Sequence, residues 1–419
     1  MLIKKVFGKV SNKFIVYGLG QAFNLVTPVL IAPYLIFVCN IDGFGKIGTA
    51  FAFALFFILI VDYGFDIKGI KKISESRNSP EQLEHELVTT LYTKFFLFLF
   101  AALVGTLFVF LLPYFRDEYL LFLFSLIIVF AQVFNPVWFL QGLEDFYTSS
   151  IVNASSKVIY VALVFTCIRI SEDYIYVNLL LGLSSLTVNI IGLIYIFRKN
   201  KFKFLTIDFK LISQTLKNDF SLCISQLFLS LRQISPVFIV GYFFGYSVAG
   251  QYKIIDQIIS LYRTFSQVFL RFFYPQLSFR LSQNSRKALL YWKRYAFVLF
   301  CGVLISSLLL FIFTEQVLLF FRVENNVIPQ LKGVFQMALI VPLSMGLSLP
   351  LEQLMFGLLN SRLYFKITFF VTVFNLVTIL VFIKFFDLSG IIASIFLSEI
   401  LFVYLYYQGA FKKLASNEN

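Results

Sequence analysis

GQYKIIDQIISLYRTFSQVFLRFFYP, Gly250 to Pro275, is an apolar run broken at regular steps by Lys253, Asp256, Ser260, Arg263, Gln267 and Arg271. At roughly 100° per residue these six positions fall within an arc of about 80° on one face of a helix. Most of the other positions are Ile, Leu, Val, Phe or Tyr, so the segment reads as a membrane span with one wet face. A charge near the middle of a lipid-facing helix costs roughly 2.5–3.5 kcal/mol on insertion scales, so a stripe of them belongs against a shared interior. Arg263 lies about ten residues from either end of the run, or roughly 15 Å from either surface at 1.5 Å per residue, too deep to snorkel easily.

The rest of the chain has the composition of a membrane protein. Hydrophobic residues make up 59% of the 419 and charged residues 14%, against about 45–50% and 25% in soluble domains. Only a multi-span bundle presents that much apolar surface without aggregating, because lipid is its solvent. The net charge of +13 comes with no extramembrane region large enough for a nucleic-acid domain, so no nucleic-acid partner is expected. The four cysteines, Cys39, Cys167, Cys223 and Cys301, lie in apolar runs without C-x-x-C spacing and read as packing residues. His85, the single histidine, reads as a solvated loop residue. The basic start lacks a small-residue cleavage site, so the first apolar stretch is expected to be a span rather than a cleaved signal.

Runs of about 20 apolar residues give twelve expected spans. The windows are 14–39, 47–69, 90–112, 119–141, 148–168, 174–197, 219–244, 249–275, 291–314, 331–357, 363–386 and 388–409. With the N-terminus in the cytoplasm, 26 of the 35 Lys and Arg fall in cytoplasmic segments or span ends and six in outer ones. That asymmetry predicts a multi-pass inner-membrane protein with both termini cytoplasmic.

A weak internal repeat divides the chain. Pro28 and Pro236 are each followed six residues later by a tyrosine, then by Gly43-Phe44-Gly45-Lys46-Ile47 and Gly250-Gln251-Tyr252-Lys253-Ile254; Pro136 with Gly142-Leu143 is echoed by Pro350 with Gly357-Leu358. The expected architecture is therefore all-α, with two six-helix bundles, 1–205 and 206–419, as parallel repeats joined by the basic linker Arg198 to Lys217.

Other spans carry polar faces too. Tyr17, Gln21, Asn24 and Pro28 share one face; Asp62 and Asp66 close the second span; Gln132, Asn135 and Pro136 sit in the fourth; Ser344, Ser348 and Glu352 recur at steps of four; and Arg232 stands in the seventh. Ser, Thr, Asn and Gln at such spacing also hydrogen-bond across helix interfaces, and Asp62 and Asp66 also have Lys68, Lys71 and Lys72 as nearby ion-pair partners. Arg263 either pairs with Asp256 or Glu352, or faces a solvated cavity that takes an anion, for which its planar fork suits phosphate. A Walker loop, GxSxG and HExxH are all missing from the sequence, so no enzymatic centre, metal or cofactor is expected.

Phe134-Asn135-Pro136-Val137-Trp138-Phe139-Leu140-Gln141-Gly142-Leu143-Glu144 resembles a signature of the Wzx-type O-antigen and polysaccharide flippases of the MOP exporter superfamily. Val61-Asp62-Tyr63-Gly64-Phe65-Asp66, followed by a basic stretch, resembles a second motif of that family. The resemblance implies a flippase that moves undecaprenyl-pyrophosphate-linked oligosaccharide from the cytoplasmic to the periplasmic leaflet, by alternating access of two bundles around a cationic cavity. Implied partners are the lipid-linked oligosaccharide, membrane lipid and other polysaccharide-assembly proteins. The substrate-binding candidates are then Arg263, Lys253, Arg232, Arg271, Ser260, Gln267, Gln21, Asn24 and Asn135. Coupling to H+ or Na+ is implied as well, with Asp62, Asp66, Asp256 and Glu352 as candidate carboxylates. Related lipid II flippases place arginines in the first, second and eighth spans, whereas the first span here has only Gln21 and Asn24, so anion capture is expected to fall more heavily on the seventh and eighth. A MATE-type multidrug or metabolite antiporter is one alternative, although its organic cations call for an acidic lumen. An envelope polysaccharide polymerase is another, although the outer loop from Glu315 to about Gln330 is short for one.

Overall fold

The structure is a computed structural model that describes residues 12–203, 209–358 and 361–418. Among them every regular element is helical, and nine helices are long and apolar enough to cross a membrane. Three of the nine, Phe23–Glu75, Gln226–Tyr274 and Leu363–Ala410, run to 48–53 residues. At about 1.5 Å per residue each exceeds 70 Å, more than twice the roughly 30 Å hydrocarbon core. Each is interrupted between its two apolar windows by a residue with non-helical backbone, Asn40, Gly245 and Asp387 respectively. All three fall where the apolar windows leave gaps.

The chain divides into two compact units, Met1–Ser230 and Leu231–Asn419. The first contains α1 (Asn12–Asp62), α2 (Phe65–Glu75), α3 (Pro80–Leu111), α4 (Tyr119–Val133), α5 (Val137–Gly142), α6 (Phe146–Cys167) and α7 (Tyr174–Asn200). Helix α8 (Phe209–Gln283) begins in this unit. The second unit continues with α9 (Ser285–Ile312), α10 (Ile328–Ala338), α11 (Ile340–Gly357) and α12 (Ser361–Glu418).

Two mechanisms hold helices together where water supplies no hydrophobic drive: close approach at small residues and amide bonds across interfaces. Gly182 of α7 lets that helix ride against α4, since a Cβ there would lie 2.9 Å from backbone atoms of Ile127 and Ile128. Asn178 donates to Ser125 Oγ (2.9 Å) and to the Ile47 carbonyl (3.2 Å), and Asn189 to the Ala131 carbonyl (2.8 Å). In the second unit Trp292 Nε1 donates to the Pro350 carbonyl at 2.9 Å, and Tyr295 to Gln353 Oε1 at 2.6 Å. Gln353 in turn donates to the Leu270 carbonyl. Asn375 bonds Ser394 O and Ser398 Oγ. These are the interface roles that small polar residues fill in lipid.

The two signature stretches meet at one end of the first unit. Tyr63 and Gly64, with φ 47° and 86°, break the backbone between α1 and α2. Helix α2 then packs on α5 at two glycines: a Cβ on Gly69 would lie 2.8 Å from the Trp138 ring, and one on Gly142 would lie 2.6 Å from Ile73. Arg77 closes the junction, donating through Nε to the Gly142 carbonyl (2.7 Å) and through Nη1 to Glu144 (2.8 Å). The family-like residues thus build a packed corner. His85, expected in a loop, instead lies exposed on an early turn of α3.

Candidate functional site

Within the second unit, the stripe on α8 faces two ways. Tyr252, Asp256, Ile259 and Arg263, at steps of four, three and four, line a narrow cleft with Arg232, Gln233 and Pro236 of the same helix and with Ile395 and Glu399 of α12. At roughly 100° per residue these four α8 positions are centred about 75° around the helix from Ser260, Gln267, Lys253 and Arg271. Only Asp256 and Arg263 of the six stripe residues therefore line the cleft. Ser260, Gln267 and Lys253 are half-buried and Arg271 is exposed.

Charges in the cleft are mostly matched. Arg232 donates through Nη1 to Glu399 Oε1 at 2.6 Å, and Ser348 of α11 donates to the other carboxylate oxygen at 2.5 Å. The Glu399 side chain is 2% exposed, and the Arg232 guanidinium also stacks 4.6 Å over the Phe402 ring. Asp256 takes the ammonium of Lys253 at 2.7 Å, three residues away on its own helix. Arg263 stands apart. Among the described residues it forms no ion pair, and its Nε is buried without an acceptor. A buried donor left unpaired costs of order 1–3 kcal/mol; Arg232 shares this feature at its own Nε, but its Nη1 is engaged by Glu399, so what sets Arg263 apart is the missing ion pair.

The remaining candidates lie elsewhere. Glu352 accepts from Tyr364 at 2.8 Å and is absent from the cleft lining. In the first unit Asp62 is clamped: fully buried Lys94 donates to Oδ1 (2.9 Å), and Gln132 Nε2 reaches both carboxylate oxygens (2.9 Å each). Asn135 extends this network, donating to Gln132 Oε1 at 3.1 Å and accepting from Val137 N at 3.0 Å. Asp66 is exposed in the first turn of α2, and Asn24 is half-buried in α1. The side chain of Gln21 lies outside the described residues, as do Lys4, Lys5 and Lys9 and the side chains of Lys13, Arg362, Lys412 and Lys413.

Two participants went unread in the sequence. Glu399 had a signal, an acid inside the apolar run IIASIFLSEILFV, where an ionisable residue is a functional candidate by default. Lys94 had almost none, because it reads as a cation at a span end until the fold brings Asp62 to it.

A family model described as polysaccharide biosynthesis protein matches residues 10–279, from the first helix to the end of the stripe. The chain belongs to the polysaccharide biosynthesis protein family. It is 21% identical over 274 residues to an Escherichia coli K12 protein named "Putative O-antigen transporter", covering 65% of this chain and 66% of that one. It is 23% identical over 400 residues to a Shigella dysenteriae protein of the same name, covering 93% of this chain and 96% of that one. Among solved structures, an inward-facing MATE-family multidrug transporter of the MOP superfamily matches with a TM-score of 0.74 at 14% identity, over 100% of this chain and 98% of its own. The lipid II flippase MurJ in an inward closed conformation matches with a TM-score of 0.72 at 12% identity, over 94% and 87%. At these identities the two structural matches establish the fold of the family member: a polytopic, all-α membrane protein.

Proposed function

We propose that this protein is a flippase for lipid-linked polysaccharide repeat units, moving an undecaprenyl-pyrophosphate-linked oligosaccharide from the cytoplasmic to the periplasmic leaflet of a bacterial inner membrane. Family membership and relatives named as O-antigen transporters support the class. The observation that carries the reading is Arg263: a half-buried cation deep in an apolar chain, with no ion pair and with a buried Nε that has no acceptor among the described residues. Pyrophosphate cannot cross hydrocarbon as a bare anion, and a planar guanidinium can meet two of its oxygens with parallel hydrogen bonds. Lys253, Arg271, Ser260 and Gln267 extend the polar face on the other side of the stripe, where hydroxyl, amide and ammonium groups substitute for water around sugar.

In this reading the three long helices each cross twice, giving twelve crossings with both termini cytoplasmic and the halves 1–205 and 206–419 as repeats. Proton or sodium coupling falls on Asp62, Asp66, Asp256 or Glu352, to which Glu399 is now added, and no further cofactor is required. The protein acts as a transporter without covalent chemistry. The test is export of surface polysaccharide in a flippase-null strain: Arg263→Ala should abolish it at matched expression and Arg263→Lys should restore part. Wild-type export from the alanine variant removes Arg263 from the mechanism. Purified protein in liposomes should translocate a lipid-linked oligosaccharide, and export of organic cations without such translocation would favour an antiporter.

A further inference from the structure

A second candidate site lies within the first unit. Helices α3, α4 and α7 leave a groove of about 690 Å³ between them, bedded by Phe95 of α3, Val133 and Phe134 at the end of α4, and Ile190, Ile194 and Phe197 of α7. That volume falls within the roughly 300–1,000 Å³ of ordinary ligand pockets. One end of the groove is different in kind: it is lined by Arg198 and Lys203, both exposed.

The chain is built to put those two cations together. Helix α7 ends at Lys201, whose backbone takes the left-handed conformation (φ 56°). The Lys201 and Phe202 amides then turn back onto the last carbonyls of the helix, with Phe202 N donating to Phe197 O at 3.0 Å. This is the bond pattern that closes helix C-termini and reverses the chain. Phe202 is buried against the rings of Phe139 and Phe197. Lys203 N is then fixed by Glu84 Oε1 at 2.7 Å. Glu84 thereby spends an oxygen on backbone, and among the described residues neither Arg198 nor Lys203 has a carboxylate partner in an ion pair. Neighbouring Lys199 does, in Asp145 at 3.6 Å.

From Ile190 to Arg198 the groove climbs roughly 12 Å along α7 at 1.5 Å per residue. It thus joins an apolar bed of about four-fifths of a leaflet's roughly 15 Å depth to two cations at the basic, cytoplasm-predicted end of the helix. We propose that this groove is a binding site for an anionic phospholipid of the surrounding bilayer, one acyl chain lying between α3, α4 and α7 and the phosphate held by Arg198 and Lys203. Charge complementarity selects the occupant. A zwitterionic lipid fills the bed equally well, and only a net negative headgroup gains from two cations at the membrane surface that form no ion pair among the described residues. The site is independent of Arg263 and of the proposed substrate.

Native mass spectrometry of the full-length protein in detergent, titrated with phosphatidylglycerol or phosphatidylcholine of the same chains, tests this. The expected result is a preference for phosphatidylglycerol of about tenfold to thirtyfold, the scale of two basic residues near one anionic headgroup. Arg198→Gln with Lys203→Gln should erase the preference while leaving phosphatidylcholine adducts unchanged. Ile194→Trp should reduce adducts of both lipids by filling the bed. Arg286→Gln with Lys287→Gln, which removes two exposed cations from the second unit, should change nothing. The proposal is overturned if phosphatidylglycerol and phosphatidylcholine bind equally, if the Arg198 and Lys203 double variant keeps the preference, or if undecaprenyl phosphate displaces phosphatidylglycerol at far lower concentration. In that last case the groove belongs to the carrier lipid.

Discussion

Removing the Glu399 carboxylate should destabilise the second unit severely, whereas removing Glu399 together with Arg232 should not. Glu399 is 2% exposed and Arg232 15%, and they meet at 2.6 Å with Ser348 on the second carboxylate oxygen. Glu399→Ala leaves the Arg232 guanidinium buried beside Arg263 with no counter-charge and strands the Ser348 hydroxyl. Truncating one partner of a buried ion pair costs about 3–5 kcal/mol. At roughly 2–4 °C per kcal/mol for a unit of 150–250 residues, the melting temperature should fall by about 6–20 °C. Replacing both partners with apolar groups of similar volume, Arg232→Met with Glu399→Leu, removes the charge and its desolvation cost together, and such swaps are often neutral or stabilising. The double variant should therefore melt near the wild type, with a coupling energy above about 2 kcal/mol in the cycle. The chain has two tryptophans, Trp138 in the first unit and Trp292 in the second. Thermal unfolding followed by fluorescence in a Trp138→Phe background thus reports the second unit. An unchanged midpoint for Glu399→Ala, or a double variant no more stable than the single one, refutes the ion-pair argument.

Arg263→Ala should hold or raise thermal stability by up to about 1 kcal/mol while export is lost, since it removes a buried donor without an acceptor; a large drop in melting temperature would mean that Arg263 has a structural partner. Lys94→Ala should cost the first unit about 3–5 kcal/mol, because it strips Asp62 of its ion-pair partner in a site where Lys94 is 0% exposed, and Trp138 fluorescence in a Trp292→Phe background measures it. Gly142→Ala should cost about 1–3 kcal/mol by driving a methyl into Ile73. Gly302→Ala, with open space around its Cβ, should instead stabilise α9 by about 0.5–1 kcal/mol; the two melts need only be compared. Cysteines at 260 and 267 should react with a membrane-impermeant thiol reagent while one at 265, where Phe265 is 55% exposed on a different face of the helix, should not; equal labelling would mean the stripe does not meet water.

Local pattern made the helices readable. Twenty-residue apolar runs and two motif stretches were enough to identify a polytopic bundle of this family, because each is decided within a window of the chain. Even the gaps near Asn40, Gly245 and Asp387 were visible, since a polar or glycine residue there interrupts hydropathy. The motifs were harder to interpret. Asn135 and Asp62 look like ligands in a sequence, yet each is held by its neighbours: Asp62 by Lys94 and Gln132, Asn135 by Gln132 and the Val137 amide. Glycines 69 and 142 look like helix breakers, yet they are the points where α2 and α5 touch.

What no window could supply was the balance of charge across helices. Read alone, the α8 stripe is net basic, with Lys253, Arg263 and Arg271 against one aspartate. Folding changes that sum: Glu399 arrives from α12, some 140 positions further on, and takes Arg232, while Lys253 turns back onto Asp256. A stripe of three cations is thereby reduced at the cleft to a single arginine without an acid. That reduction strengthens the case for Arg263. A track of equal cations would hold a pyrophosphate at every point and release it slowly. Under the proposed flippase reading, one guanidinium without an ion pair beside two ion-paired cations gives the anion one place to bind. Under that same proposal, selectivity between an anionic lipid carrier and an organic cation rests on whether Glu399 and Asp256 stay engaged by Arg232 and Lys253. Breaking the Arg232 pair should therefore alter which charge the cleft accepts as well as how stable it is.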